Sequence, residues 1–269
     1  MEDPIHAMPG GLDRLAEILR RLRDPETGCP WDREQTHESL APFAIEEAHE
    51  VADAVARRAW DELCPELGDL LLQVVYHARV AEEAGRFDLA AVVGAVSEKM
   101  IARHPHVFGD GPRDRRTAEA QGVHWEAAKA AERARRGETG ALGGVPLALP
   151  ALTRALKLQR RAARVGFDWP DEAGAAEKLA EEAREVEAAQ GAEAVAEEMG
   201  DLLFAAVNLA RHRGVDPEGA LRAANRKFER RFRAIEAALA GEGRRPDEAT
   251  LAEMDALWEE AKAAERRGG

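Results

Sequence analysis

The chain is one segment written twice, and this limits its fold more than any other feature of the sequence. Cys29-Pro30-Trp31-Asp32 in the first half has an echo in Phe167-Asp168-Trp169-Pro170 in the second. Glu46-Glu47-Ala48-His49-Glu50 matches Glu181-Glu182-Ala183-Arg184-Glu185. Glu66-Leu67-Gly68-Asp69-Leu70-Leu71 matches Glu198-Met199-Gly200-Asp201-Leu202-Leu203. The segment from Trp125 to Glu132 matches that from Trp258 to Glu265. The four separations are 138, 135, 132 and 133 residues, so order is kept with small changes in length. Repeats of this kind are one structural unit used twice. The 269 residues suit two domains of ordinary size.

The unit is helical. Ala, Glu, Leu and Arg dominate, with one Tyr and seven Phe, so the β-branched and aromatic residues that strands prefer are thin. Helix-forming patterns run over about 11–23, 39–59, 61–84, 87–103 and 115–136, then over about 150–163, 171–190, 192–213, 216–240 and 247–267. Between the two sets, residues 137–146 hold four glycines and a proline, the strongest break in the chain. The expectation is an all-α protein with an N-terminal domain over 1–136, a linker over 137–149 and a C-terminal domain over 150–269.

A net charge of −13 argues against a protein held to nucleic acid by phosphate neutralisation. No apolar run reaches the roughly 18 residues of a membrane span, and Met1-Glu2-Asp3-Pro4 lacks the features of a signal peptide. Cys29 and Cys64 cannot form a disulfide framework, so a reduced cytoplasm is expected. There is no Gly-rich loop ending in Lys-Ser/Thr, no serine elbow and no zinc-spaced cluster. His104-Pro105-His106 reads as a proline-containing loop.

The duplicated acids carry the chemistry. Glu46, Glu47 and Glu50 lie within an arc of about 100° on one helix. Glu66 and Asp69 share a face of the next helix, and the short connection through Trp60-Asp61 makes the two helices antiparallel neighbours. The second half repeats the set as Glu181, Glu182, Glu185, Glu198 and Asp201. Five carboxylates converging beside apolar Val51, Leu67, Leu70 and Leu71 require cations, and hard oxygen ligands favour Mg²⁺ or Mn²⁺ over zinc. Lys227, Arg230 and Arg231 form one cationic helix face, and Trp258 offers a ring to stack on a base.

The twice-repeated EExxE…ExxD pattern resembles the MazG family of nucleoside triphosphate pyrophosphohydrolases, in its tandem two-domain form. A looser version occurs in all-α dUTP and dCTP hydrolases and in phosphoribosyl-ATP pyrophosphohydrolase. The resemblance implies Mg²⁺-dependent cleavage of an NTP or dNTP between the α- and β-phosphates, giving a monophosphate and pyrophosphate. It assigns metal to Glu181, Glu182, Glu185, Glu198 and Asp201, with one of the glutamates, Glu182 or Glu185, activating water. It assigns phosphate contact to Lys178 beside Lys227, Arg230 and Arg231, and nucleotide contact to Trp258. It also implies a homodimer that completes the helical bundles, as in related all-α hydrolases. A regulatory protein partner is left open.

The halves are not equivalent. Where the second has Lys178 the first has Phe43, and where the second has Arg230 the first has Ala102. The first half keeps a second candidate metal set, Glu46, Glu47, Glu50, Glu66 and Asp69, but lacks two phosphate ligands. Catalysis is therefore expected mainly in the C-terminal domain, with nucleotide-pool cleaning or stress adjustment as the role. Two alternatives stand beside this reading: a narrower hydrolase of dUTP/dCTP or phosphoribosyl-ATP, and a non-catalytic helical adaptor.

Overall fold

A computed structural model describes residues 3–109 and 140–268. The chain divides into two compact units, Met1–Ala128 and Lys129–Gly269. Among the described residues all regular structure is helical, so the chain is all-α. The helix expected over 115–136 and the Trp125–Glu132 copy of the repeat lie outside the described residues.

The first unit contains α1 (Leu12–Leu22), α2 (Pro30–Glu34), α3 (His37–Arg57), α4 (Trp60–Glu83), α5 (Leu89–Arg103) and α6 (Pro105–Phe108). Helix α3 starts two residues before the expected position because Thr36 and Ser39 form a capping box. Ser39 N–H donates to Thr36 Oγ1 at 3.3 Å, and Thr36 N–H donates to Ser39 Oγ at 2.9 Å. It stops at Arg58, whose left-handed φ of 58° turns the chain straight into α4. The sequence reading missed two short helices. Pro30 and Pro105 each occupy a first helical turn, where a missing N–H costs nothing.

Leu19, Leu40, Val75 and Tyr76 form the core of this unit, with Leu12, Leu15, Leu22, Leu72, Val80 and Leu89 packed against them. Buried Arg23 ties α2 to α4: its Nη2 donates to Glu83 at 2.7 Å and its Nη1 to the Gln35 carbonyl at 3.0 Å. Tyr76 donates its hydroxyl hydrogen to Asp32 at 2.8 Å, so this buried hydroxyl has a partner.

The second unit contains α7 (Ala151–Arg164), α8 (Glu172–Ala188), α9 (Ala192–His212), α10 (Pro217–Gly241) and α11 (Leu251–Gly268). Asp171 caps α8 by accepting from Ala173 N–H at 2.9 Å, and Asp216 caps α10 by accepting from Gly219 N–H at 3.1 Å. Helices α8 and α9 form an antiparallel hairpin with α7 packed across α9, while α10 runs back along α7 and pairs with α11. Leu156, Ala175, Ala205, Val207, Ile235 and Leu239 are buried. No described helix is long and apolar enough to cross a membrane.

Candidate metal and nucleotide site

The two helical hairpins place the acids as their spacing requires. On α8, Glu182 and Glu185 are three residues apart, one above the other, and Glu198 of α9 faces them. The three offer carboxylate oxygens that all lie within 4.8 Å of one another. Glu182 is 4% exposed. Its Oε1 lies 2.6 Å from Lys178 Nζ, and its Oε2 is buried with no hydrogen-bond partner. A buried, unpartnered carboxylate oxygen among other carboxylates is expensive unless a cation meets it. The donor set, oxygen only, fits a hard divalent ion.

Electrostatics agree. The Glu185 carboxyl is pushed above the usual glutamate range by the adjacent Glu182 carboxyl, then by desolvation. Lys178 is raised by its bonds to Glu181 and Glu182, while Glu181 is lowered by the same lysine. Glu181 sits outside the converging group: half-exposed, it holds Lys178 Nζ at 2.8 Å. Asp201 lines the adjoining cavity with Glu182 and Lys178.

In the first unit Glu47, Glu66 and Asp69 converge within 4.8 Å. Glu47 and Glu66 are both raised, first by desolvation and then by neighbouring Glu50 and Asp69. Glu46, Glu50 and Glu66 line an open depression of about 490 Å³ with His49.

The units differ most beside the acids. The second holds a cavity of about 750 Å³ whose lining includes Phe167, Trp169, Phe204, Asn208 and Arg211 with the acids. At the repeat spacing that aligns Asp69 with Asp201, Phe204 and Asn208 correspond to Leu72 and Tyr76, which pack into the core of the first unit. Ala175 and Lys178 correspond to Leu40, a core residue, and Phe43. Tyr76 and Phe43 thus stand where the second unit has Asn208 and Lys178 at the cavity wall.

Arg230 and Arg231 on α10 pair with Glu265 of α11, at 3.1 and 2.7 Å. The Arg231 guanidinium lies 5.4 Å over the Trp258 ring, and Phe228 packs on the same indole at 5.4 Å. Lys227 is exposed on α10. Lys227, Arg230, Arg231 and Trp258 do not line the cavity that holds the acids. Sequence reasoning assigned no role to Asn208 or Arg211, and noted Asp168 and Trp169 only as repeat markers. Asp168 and Arg211 meet across 43 residues of chain, so no local pattern announces that contact.

Residues 35–108 match the family model described as "MazG nucleotide pyrophosphohydrolase domain", and residues 149–228 match "Phosphoribosyl-ATP pyrophosphohydrolase". The chain is 48% identical to the nucleoside triphosphate pyrophosphohydrolase of Escherichia coli K12, over 94% of this chain and 98% of that protein. It belongs to the MazG family. A second MazG relative, the nucleoside triphosphate pyrophosphohydrolase/pyrophosphatase of Thermotoga maritima, is 43% identical over 94% of this chain and 96% of its own length. A solved MazG-related protein from Thermotoga maritima is 31% identical, covers 44% of this chain and 99% of its own, and superimposes with a TM-score of 0.37.

Proposed function

We propose that this MazG protein hydrolyses nucleoside triphosphates, ribo and deoxy, to the monophosphate and pyrophosphate at the acidic cavity of its second unit. The observation that carries the reading is the buried, unpartnered Glu182 oxygen, set among Glu185 and Glu198 at the wall of a cavity of nucleotide size. Glu182, Glu185 and Glu198 would hold Mg²⁺, for which Mn²⁺ can substitute, with Asp201 and Glu181 as further ligands once Glu181 leaves Lys178. The bound ion would neutralise phosphate charge and lower the pKa of water.

The chain's own residues do the rest. Lys178 is held by the acids close to where phosphate oxygens arrive, and Lys227, Arg230 and Arg231 supply further cationic donors. Trp258 contributes a nucleotide contact from the same group. Glu185 gives up its proton less readily than an ordinary glutamate because the Glu182 carboxylate lies beside it. That pair can take the proton of the attacking water. The first unit, its corresponding space filled by Tyr76, serves dimerisation or regulation. The working form is a cytoplasmic homodimer that cleans the nucleotide pool or adjusts it under stress, and a regulatory protein partner would act on it there.

A narrower reading has one specific support: the match of the second unit to phosphoribosyl-ATP pyrophosphohydrolase. Product analysis separates the two. The protein with Mg²⁺ is given the eight canonical NTPs and dNTPs and phosphoribosyl-ATP, and products are resolved by anion exchange. Monophosphate and pyrophosphate from several NTPs are expected. Turnover of phosphoribosyl-ATP alone supports the narrower enzyme, and diphosphate with phosphate overturns both.

A further inference from the structure

Besides the acids and Lys178, the cavity of the second unit has a lining that phosphate chemistry does not use. Phe167, Trp169 and Phe204 give it aromatic surface, and Gln159, Asn208 and Arg211 give it polar groups. The polar groups are ordered in a chain. Arg211 donates from Nε and Nη2 to Asn208 Oδ1, at 3.0 and 2.8 Å, and from Nη1 to Asp168 Oδ2 at 2.9 Å. Asp168 in turn accepts the backbone N–H of Trp169 at 2.9 Å. A guanidinium only donates, so the Asn208 amide is fixed with its oxygen on Arg211. Its NH₂ group then points elsewhere, and no described protein group accepts from it.

Gln159 adds a second unsatisfied group. It is 7% exposed; its Nε2 donates to the Phe204 carbonyl at 2.8 Å, and its Oε1 has no partner. Trp169 is seated by Gly174 of α8, where a Cβ would meet the indole at 2.7 Å. An aromatic face, an oriented donor and a buried acceptor in one cavity are the elements of recognition for a flat heterocycle.

We propose that this lining takes the nucleobase of the substrate, with Trp169 offering its ring face and Asn208 donating to a carbonyl oxygen or ring nitrogen on the base edge. Asp168 and Arg211 are positioning residues that hold the amide in its donating orientation. The inference rests on the nucleoside triphosphate reading above. Every common base carries such an acceptor, so this contact adds affinity without selecting one base. Trp258 is the rival stacking surface, but Arg231 and Phe228 already pack on its ring, and it lies outside this cavity's lining.

Steady-state kinetics test the assignment, using ATP, GTP, CTP and UTP with Mg²⁺ and inorganic tripolyphosphate as a base-free competitive inhibitor. Asn208→Asp keeps the shape and the contact with Arg211 but removes both donors; Asn208→Ala removes the group. Each should raise KM for all four nucleotides about tenfold, the effect of one lost hydrogen bond, while the tripolyphosphate inhibition constant holds. Asp168→Asn should give the same nucleotide-selective rise, smaller in size. Equal weakening of nucleotides and tripolyphosphate would mean a purely structural role and overturn the proposal. So would unchanged KM in both Asn208 variants, or a base-dependent loss confined to Trp258→Ala. If the unaltered protein turns over no triphosphate, the reading of function itself fails, which is a different result.

Discussion

The Glu185 carboxyl lies beside that of Glu182 and is pushed above the ordinary glutamate range, so it keeps its proton to higher pH than a free glutamate. An acid whose pKa is higher folded than unfolded stabilises the fold below the unfolded value, 4.5, and that contribution is lost as pH rises through the folded value. Glu47 and Glu66 behave the same way in the first unit. Without metal, these groups should therefore lower stability as pH increases, and a divalent cation should reverse the loss. Melting temperatures with and without Mg²⁺ should diverge more at pH 8 than at pH 5, and Glu185→Gln should shrink the difference. An Mg²⁺ shift that ignores pH would count against the site. For activity, Glu182→Ala should lower kcat/KM at least ~10²-fold, whereas Glu47→Ala should retain most of it. The reverse order would move catalysis to the first unit.

At the scale of elements, both hairpins depend on how the chain leaves one helix and enters the next. Gly191, with φ 88°, joins α8 to α9, and Arg58, with φ 58°, joins α3 to α4. An L-residue pays about 1–2 kcal/mol for the left-handed region. Arg58→Gly should accordingly stabilise the first unit by up to about 1 kcal/mol in urea unfolding, part of the relief being lost to backbone entropy. Gly174 has a different reason to be glycine: it lies on α8 under the Trp169 ring. Gly174→Ala should displace that indole, raising KM and changing tryptophan fluorescence while helix content by circular dichroism stays constant. Helix positions and the acids along each helix were legible in the sequence because each depends on neighbours within four residues. The Asp168–Arg211 pair and the Glu265 clamp on Arg230 and Arg231 were not, because their partners lie far along the chain.

At the scale of the molecule, each unit buries a small core and leaves large apolar side chains outside. Leu203 and Met199 on α9, Leu221 and Phe228 on α10, and Leu67, Leu71 and Val74 on α4 are exposed in the isolated chain. Apolar rows on helices of thin bundles are the surface that a two-fold partner covers. Sedimentation should give a dimer. Leu203→Asp should shift it toward monomer and reduce activity together, whereas a monomeric unaltered protein would refute this assembly.

The sequence by itself determined the duplication, the all-α class, the two acidic sets and the family, because periodicity and motif spacing survive without coordinates. It also showed that the halves differ, at Phe43 and Ala102. What only the tertiary structure decided is the form of that difference. Tyr76 and Leu72 close the first unit with a packed core, while Asn208 and Phe204 border an open cavity in the second. It also decided which acids converge: Glu182, Glu185 and Glu198 meet, and Glu181 turns to Lys178. Both outcomes depend on which side chains from separate helices share a volume, and that is a property of packing rather than of spacing along the chain.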